Sequence, residues 1–232
     1  MNKLLVTCPT RNRPQKALRM LESFYNTKHY DSTDIRFYIS DEDPKLNEYK
    51  HVLPDELCVI GTRLYITNVF NVFPTLIEAD YYSIINDDHI YKSQDWDKTL
   101  IDVLEQNNGW GIAYANDSFG VSNGLVGTPM MSRKMFNALG YFVLPDLWHL
   151  RTDKYWHDLA KSLNRSFYCK DVEIFHNHEL ALSDWQKWDD NYKWVYSKEV
   201  HDHDFAVYDE WLKNKGLEKD TKRVLEAIKN EC

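Results

Sequence analysis

Four short apolar runs constrain this chain more than any other feature. Each is halted by polar or charged residues, and each is followed by sequence patterned for a helix. They cover residues 4–8, 35–39, 57–60 and 81–85. Runs this short, rich in Val, Ile, Tyr and Phe, suit a pleated, buried surface. After the first, Ala17, Leu18, Leu21, Phe24 and Tyr25 recur at helical spacing. Leu46, Tyr49 and Leu53 suggest a short helix after the second, and residues 68–79 a longer one after the third. Pro74 lies inside that longer stretch, so a kink or a late start is expected. Alternation of strand and helix predicts an α/β fold with a Rossmann-like, mostly parallel central sheet flanked by helices.

In open sheets of that kind, ligands bind beyond the carboxyl ends of the strands. The strand ends therefore carry the functional reading. The run over 81–85 stops at Asn86-Asp87-Asp88-His89. Two adjacent carboxylates in a cleft repel each other, and a divalent cation removes that cost. A polar turn with solvated aspartates is the plain alternative. The first run ends in Pro9-Thr10-Arg11-Asn12-Arg13-Pro14. Pro14 suits a first helical turn, and two arginines beside a helix N-terminus suit an anion such as a diphosphate. A solvated basic loop is the alternative there. The GxGxxG and GxxxxGK[ST] fingerprints are absent. The second run ends in an acidic turn, where Asp41 is placed to accept from a base N–H or a ribose hydroxyl. A plain Asp-Pro turn is the alternative. The third opens onto Gly61-Thr62-Arg63, which adds Arg63 to the nucleotide-side candidates.

The second half has a different grain. Ser93 is expected to cap a helix with Trp96, Leu100, Val103 and Leu104 on one face. Strands are expected over 110–115 and 128–131, around a polar loop at 116–127. Ser132 caps a helix that ends at Gly140, and an irregular aromatic stretch follows over 141–150. Thr152 is the expected N-cap of the next helix, and Asp153 in its first turn is the general-base candidate. A first-turn acid that favours the helix dipole is the competing explanation. Two strands, 167–169 and 172–175, lead into His176-Asn177-His178. Residues 176 and 178 share a strand face, so either is placed to reach a cation held by Asp87 or Asp88. The tail carries Trp185, Trp188, Trp194 and Trp211 on expected helices. Its His201-Asp202-His203-Asp204 run points to different sides of a helix and is not read as a metal site.

Composition narrows the function classes. Hydrophobic residues make up 43% and charged residues 28% of the 232, which are globular values. The 15 Tyr, 10 Phe and 8 Trp fill cores but also line sugar and base pockets. A net charge of −8 counts against gripping a nucleic-acid backbone. Four scattered cysteines without a CxxC point to reduced thiols. No stretch reads as a signal peptide or transmembrane segment, so a cytoplasmic protein is expected.

In order and spacing, these motifs resemble the GT-A glycosyltransferases of the family-2-like kind, over residues 3–180. The stretch Val6 to Pro14 is similar to that family's opening strand and nucleotide loop. Asp41 stands at its base-binding acid, and Asn86-Asp87-Asp88 at its DxD motif, with Asn in the first position. Gly127 to Arg133, with Phe136 and Gly140-Tyr141-Phe142, resembles its acceptor side. Thr152-Asp153 with Trp156 stands at its ED-type base region, with Thr replacing the first acid. His176 or His178, the latter favoured, matches its late metal-binding histidine. The resemblance implies a GT-A domain over 1–182, with a nucleotide-sugar half over 1–90 and an acceptor half over 91–182, and a helical extension over 183–232. It implies a nucleotide-sugar donor, UDP-linked in first place, and a glycan or other hydroxyl acceptor. A nucleic-acid acceptor is disfavoured by the net charge. Pro9, Thr10, Arg11, Arg13, Asp41, Arg63 and Asp87 would bind the donor. Asp88 with His176 or His178 would hold Mn²⁺ or Mg²⁺, and Asp153 would act as base in an inverting transfer. Two rival classes are a sugar-phosphate nucleotidyltransferase, which would consume a nucleoside triphosphate, and a non-catalytic carbohydrate-binding protein.

Overall fold

A computed structural model describes residues 2–119, 121, 124–178 and 188–231. Trp185 and the expected boundary at 182–183 lie outside the described residues.

The order begins β1 (Leu4–Thr10), α1 (Pro14–Thr27), β2 (Thr33–Ser40), α2 (Leu46–Val52), β3 (Cys58–Gly61), α3 (Ile66–Leu76) and β4 (Tyr81–Ile84). It continues β5 (His89–Tyr91), α4 (Trp96–Glu105), β6 (Ile112–Asn116), β7 (Pro129–Ser132), α5 (Arg133–Leu139), α6 (Thr152–Ser162) and β8 (Ser166–His176). The tail is α7 (Asp190–Val195), α8 (Lys198–Lys213) and α9 (Gly216–Glu231). The sheet order is β3-β2-β1-β4-β7-β6-β8-β5. Strands β1 to β4 are mutually parallel, as the strand–helix alternation predicts. Strand β7 then runs antiparallel between β4 and β6, and β8 runs parallel to β6.

Strand β1 is buried on both faces, which explains its unbroken apolar run. Leu4, Val6 and Cys8 enter one core with Phe24 of α1, Phe37 of β2 and Trp96 of α4. Leu5 faces the other way, into a second core with Phe70 of α3, Trp156 of α6 and Tyr208 of α8. Period-two alternation along one central strand thus feeds both layers. The C-terminal helices belong to the second core, where Val224 of α9 is fully buried.

Several local expectations are corrected. Helix α4 starts at Trp96, after Asp95 in the left-handed region (φ 55°), not at a Ser93 cap. The Ser93 hydroxyl is spent on β8, accepting from the Glu173 N–H (2.8 Å) and donating to the Asp171 carbonyl (3.2 Å). Helix α3 starts before Asn68, and Pro74 lies in its last turns, where it forfeits one ladder bond. Leu57 belongs to a single 3₁₀ turn, so β3 runs one residue later than expected. Arg151 at φ 67°, not Thr152, precedes the first residue of α6. The two strands expected over 167–175 are one strand, β8, whose pairing with β6 shifts register between Ala115 and Asn116. Strand β5 was not expected, because three residues carry too little pattern to show a strand.

Candidate active site

The carboxyl ends of β1, β2 and β4 open onto one cleft of about 940 Å³, its open mouth included. Pro9, Thr10, Arg11, Arg13, Arg63, Asp87, Asp88, His176 and His178 all line it. Nine of the sequence-derived candidates therefore meet in one place.

A hydrogen-bonded chain builds the floor. The Arg13 backbone N–H donates to the Tyr49 hydroxyl (2.8 Å), which in turn contacts Thr10 Oγ1 (2.7 Å). Thr10 Oγ1 donates to Asp87 Oδ2 at 2.6 Å, so the Tyr49 hydroxyl donates to Thr10. The loop turns at Asn12 (φ 58°), whose N–H donates to Asp43 Oδ2 at 2.9 Å. That turn places Arg13 against the β4 end, with Nη1 3.2 Å from Asp87 Oδ1 and 3.9 Å from Asp88 Oδ2. The Arg13 fork also meets Asp189, Nε to Oδ2 at 2.5 Å and Nη2 to Oδ1 at 2.7 Å. Burial pushes the Asp87 carboxyl up to about 6, opposed by Arg13 and reinforced by Asp88. Burial also works against the Arg13 charge, but Asp87, Asp189 and Asp88 outweigh it and raise the guanidinium further. Arg11 Nη1 is buried and has no hydrogen-bond partner among the described residues.

Beside this floor lies a cluster of Asp88, His89 and His176, 2%, 1% and partly exposed respectively. Asp88 Oδ1 sits 3.4 Å from His89 Nδ1 and 3.3 Å from His176 Nε2, yet none of the three atoms makes a hydrogen bond among the described residues. The two imidazoles stack at 3.9 Å, fixed by direct pairing of His89 with His176 between β5 and β8. Buried polar atoms without partners are costly, and two ligands of one cation lie about 3.0–3.5 Å apart. The donor set, one carboxylate and two imidazoles, therefore fits a divalent cation. Burial raises the Asp88 carboxyl, but His176 and His89 outweigh it and hold it well below the ordinary range. Burial and His176 together lower His89. The other carboxylate oxygen of Asp88, Oδ2, accepts from the Tyr192 hydroxyl at 2.5 Å.

The remaining candidates take different places. His178 lines the cleft, but its ring stacks on Phe119 (4.1 Å) and its Nε2 faces the Tyr196 hydroxyl (3.2 Å). Asp41 is exposed just beyond the cleft, and its neighbour Ser40 lines the wall instead. Arg63 is exposed at the rim, its guanidinium 5.9 Å from the Trp194 ring centre. Asp153 is half-buried in the first turn of α6, its Oδ1 accepting from the Lys154 N–H at 2.7 Å. Asp153 is not among the residues that line the cleft, whereas Tyr196 is, its hydroxyl raised first by burial, then by the charges of Asp153 and Asp88. Burial raises the Asp153 carboxyl as well. His201-Asp202-His203-Asp204 holds no cluster: Asp204 is buried and accepts from the N–H groups of Trp148, His149 and Leu150 at 2.6–2.9 Å.

Sequence reading missed His89, Asp189, Tyr192 and His149. His89 sits next to the expected acid pair, but only its pairing with His176 marks it as a partner. Asp189 and Tyr192 reach the site across more than a hundred residues, which no local pattern reveals.

No protein-family profile matches the chain. No curated protein matches it in sequence. Solved structures do. The Pyrobaculum calidifontis mannosyltransferase PcManGT, in complex with GDP-Man and Mn²⁺, matches with a TM-score of 0.60 at 12% identity, over 99% of this chain and 74% of that one. S. aureus TarS matches with a TM-score of 0.56 at 11% identity, over 74% of this chain. Its 1–349 form in complex with UDP-GlcNAc matches with a TM-score of 0.56 at 12% identity, also over 74% of this chain. The chain spans 36% of the TarS chain and 57% of that shorter form. The shared architecture is GT-A-like, as the motif order implied.

Proposed function

We propose that the protein is a metal-dependent glycosyltransferase. It moves a sugar from a nucleoside-diphosphate sugar, UDP-linked in first place, to an acceptor hydroxyl with inversion. The observation that carries this reading is the Asp88–His89–His176 cluster beside Arg11 and Arg13. A cation next to two arginines at strand ends is a built receptor for a diphosphate. The structural neighbours that bind GDP-Man with Mn²⁺ and UDP-GlcNAc support it.

Asp88, His89 and His176 would hold Mn²⁺ or Mg²⁺, with His178 at the edge of the cluster. When bound, the cation would act as a Lewis acid toward the departing diphosphate. Arg11, whose Nη1 lacks a partner among the described residues, takes a phosphate oxygen, and Arg13 orients Asp87 and the floor. Pro9, Thr10 and Arg63 border the nucleoside side of the cleft, and Asp41 supplies an exposed acid beyond it, next to the lining Ser40. Asp153 takes the proton of the acceptor hydroxyl as its oxygen bonds to the anomeric carbon. The bond from that carbon to the diphosphate breaks, and the nucleoside diphosphate leaves. Attack from the opposite face inverts the anomeric centre. Burial, which raises the Asp153 carboxyl, suits a base.

The test is a panel of nucleotide-sugars with Mn²⁺, read by thermal shift and by release of nucleoside diphosphate. The reading expects a UDP-sugar to stabilise the protein and to release UDP only with the cation present. No shift with any nucleotide-sugar, or turnover that survives EDTA, overturns it.

A further inference from the structure

The cleft holds one histidine that the reading above leaves without a task. His149 lines it together with Arg13, Asp88 and His176. It therefore faces the diphosphate and cation stations at once. No hydrogen bond is made by its imidazole among the described residues.

The backbone that presents His149 is fixed independently of the ring. Its own N–H and those of Trp148 and Leu150 donate to the buried Asp204 carboxylate. Its carbonyl accepts from Thr152 Oγ1 at 3.4 Å, one residue before Asp153. Upstream, Thr67 Oγ1 donates to the Leu147 carbonyl, and Trp148 stacks between Tyr65 (4.8 Å) and His203 (3.8 Å). The fold spends a buried carboxylate and an aromatic stack to hold a residue whose imidazole then bonds to none of the described residues. A polar group held in place at a cleft wall is positioned to meet a ligand.

The place defines that ligand. A transferred sugar must lie between the leaving diphosphate and the base. The first is bounded by Asp88 and Arg13, which line the cleft with His149, and the second is Asp153, in the first turn of α6, whose Thr152 hydroxyl bonds the His149 carbonyl. From this placement we infer that His149 hydrogen-bonds a hydroxyl of the transferred sugar and sets which sugar the site accepts. The inference rests on the glycosyltransferase reading. Burial pushes the ring down to about 4, so at neutral pH it offers one donor and one acceptor. Such a group matches a hydroxyl, which is both, and adds no charge that would compete for the diphosphate. A buried directional pair also rejects an epimer whose hydroxyl points elsewhere.

The experiment compares His149→Ala and His149→Asn with wild type in Mn²⁺. It measures affinity for UDP and for the UDP-sugar that wild type turns over. The expectation is UDP affinity within twofold of wild type, with UDP-sugar affinity down roughly five- to twentyfold in the Ala variant. His149→Asn, which keeps a donor and an acceptor, should recover part of that loss and shift the preference between epimeric donors. Intact UDP binding reports an intact fold in the same sample. Unchanged affinity for both ligands overturns the inference, as does an equal loss for both, which places His149 at the nucleotide or in the fold. A wild-type protein that binds no nucleotide-sugar defeats the functional reading itself and the inference with it.

Discussion

At Asp88 the chain places a buried carboxylate oxygen between two imidazole nitrogens that it does not hydrogen-bond. Buried polar atoms in such an arrangement carry a stability cost. Asp88→Ala is therefore expected to leave folding intact and to abolish Mn²⁺-dependent turnover; turnover and circular dichroism on one preparation check both halves. Asp153 makes a second residue-scale test. A general base contributes roughly 10²–10⁴ in rate, whereas a dipole-favouring acid contributes only about 0.3–1 kcal/mol of stability. Asp153→Asn should lower kcat by that rate factor while melting temperature and UDP affinity hold. A near-normal kcat would return Asp153 to a structural role and turn attention to Asp158 or Asp146. A third concerns acid. The folded protein lowers His149 to about 4 and His178 to about 3 by burial, whereas both protonate near 6.5 when unfolded. The unfolded state thus gains protons first. Stability is full above about pH 6.5 and falls as pH drops from there toward 4, by at most about 1.4 kcal/mol per pH unit for each histidine. Cation-free urea titrations from pH 7.5 to 4.5 should show that slope, and His149→Asn should flatten it. The acid pair at the β4 end and the basic loop were legible because strand ends in a parallel sheet are where ligands bind. His89 was not, since its role comes from a partner strand and not from its own neighbours.

Single elements show where local sequence rules yield to tertiary bonds. Ser93 has the chemistry of a helix cap, yet its hydroxyl serves β8, because the Glu173 N–H and Asp171 carbonyl lie within reach. Pro74 does not shorten its helix from the front, because near the C-terminal end it costs one hydrogen bond only. Helix α8 carries the reverse case. Asp204 looks like one more acid in a run of His and Asp, but it accepts from three backbone N–H groups of the 148–150 segment. Asp204→Ala is expected to cost about 2–5 kcal/mol, since it strands donors in a buried place. A calorimetric melting temperature within a degree or two of wild type would show that the segment does not depend on that carboxylate.

Across the whole molecule, strand–helix alternation carried the fold class, while the antiparallel insertion of β7 was beyond its reach. Sequence order cannot say that β7 slips between β4 and β6. The Asp88–His89–His176 cluster joins the β4 end to β5 and β8, so on the proposed reading cation binding should register as global stability. Mn²⁺ at a hundred times its dissociation constant should add about 2.7 kcal/mol against unfolding. That increment should vanish in Asp88→Ala, and an unchanged increment would place the cation elsewhere.

The pairing of His89 with His176 also sets an order of events while the chain is being made. The strands whose ends open onto the cleft, β1, β2 and β4, come from the first hundred residues and can pair early. Closing the loop from 89 to 176 carries an entropic cost that long-range pairing must repay, so it belongs to a late stage of folding. Until β8 has been synthesised, Asp88 has no imidazole from that strand, and Arg13 still lacks Asp189. A nascent or clipped chain would therefore display Arg11 and Arg13 without the finished Asp88–His89–His176 cluster. On the proposed reading, capacity to capture a cation would double as a signal of completion, arriving only when the last strand of the sheet is in place.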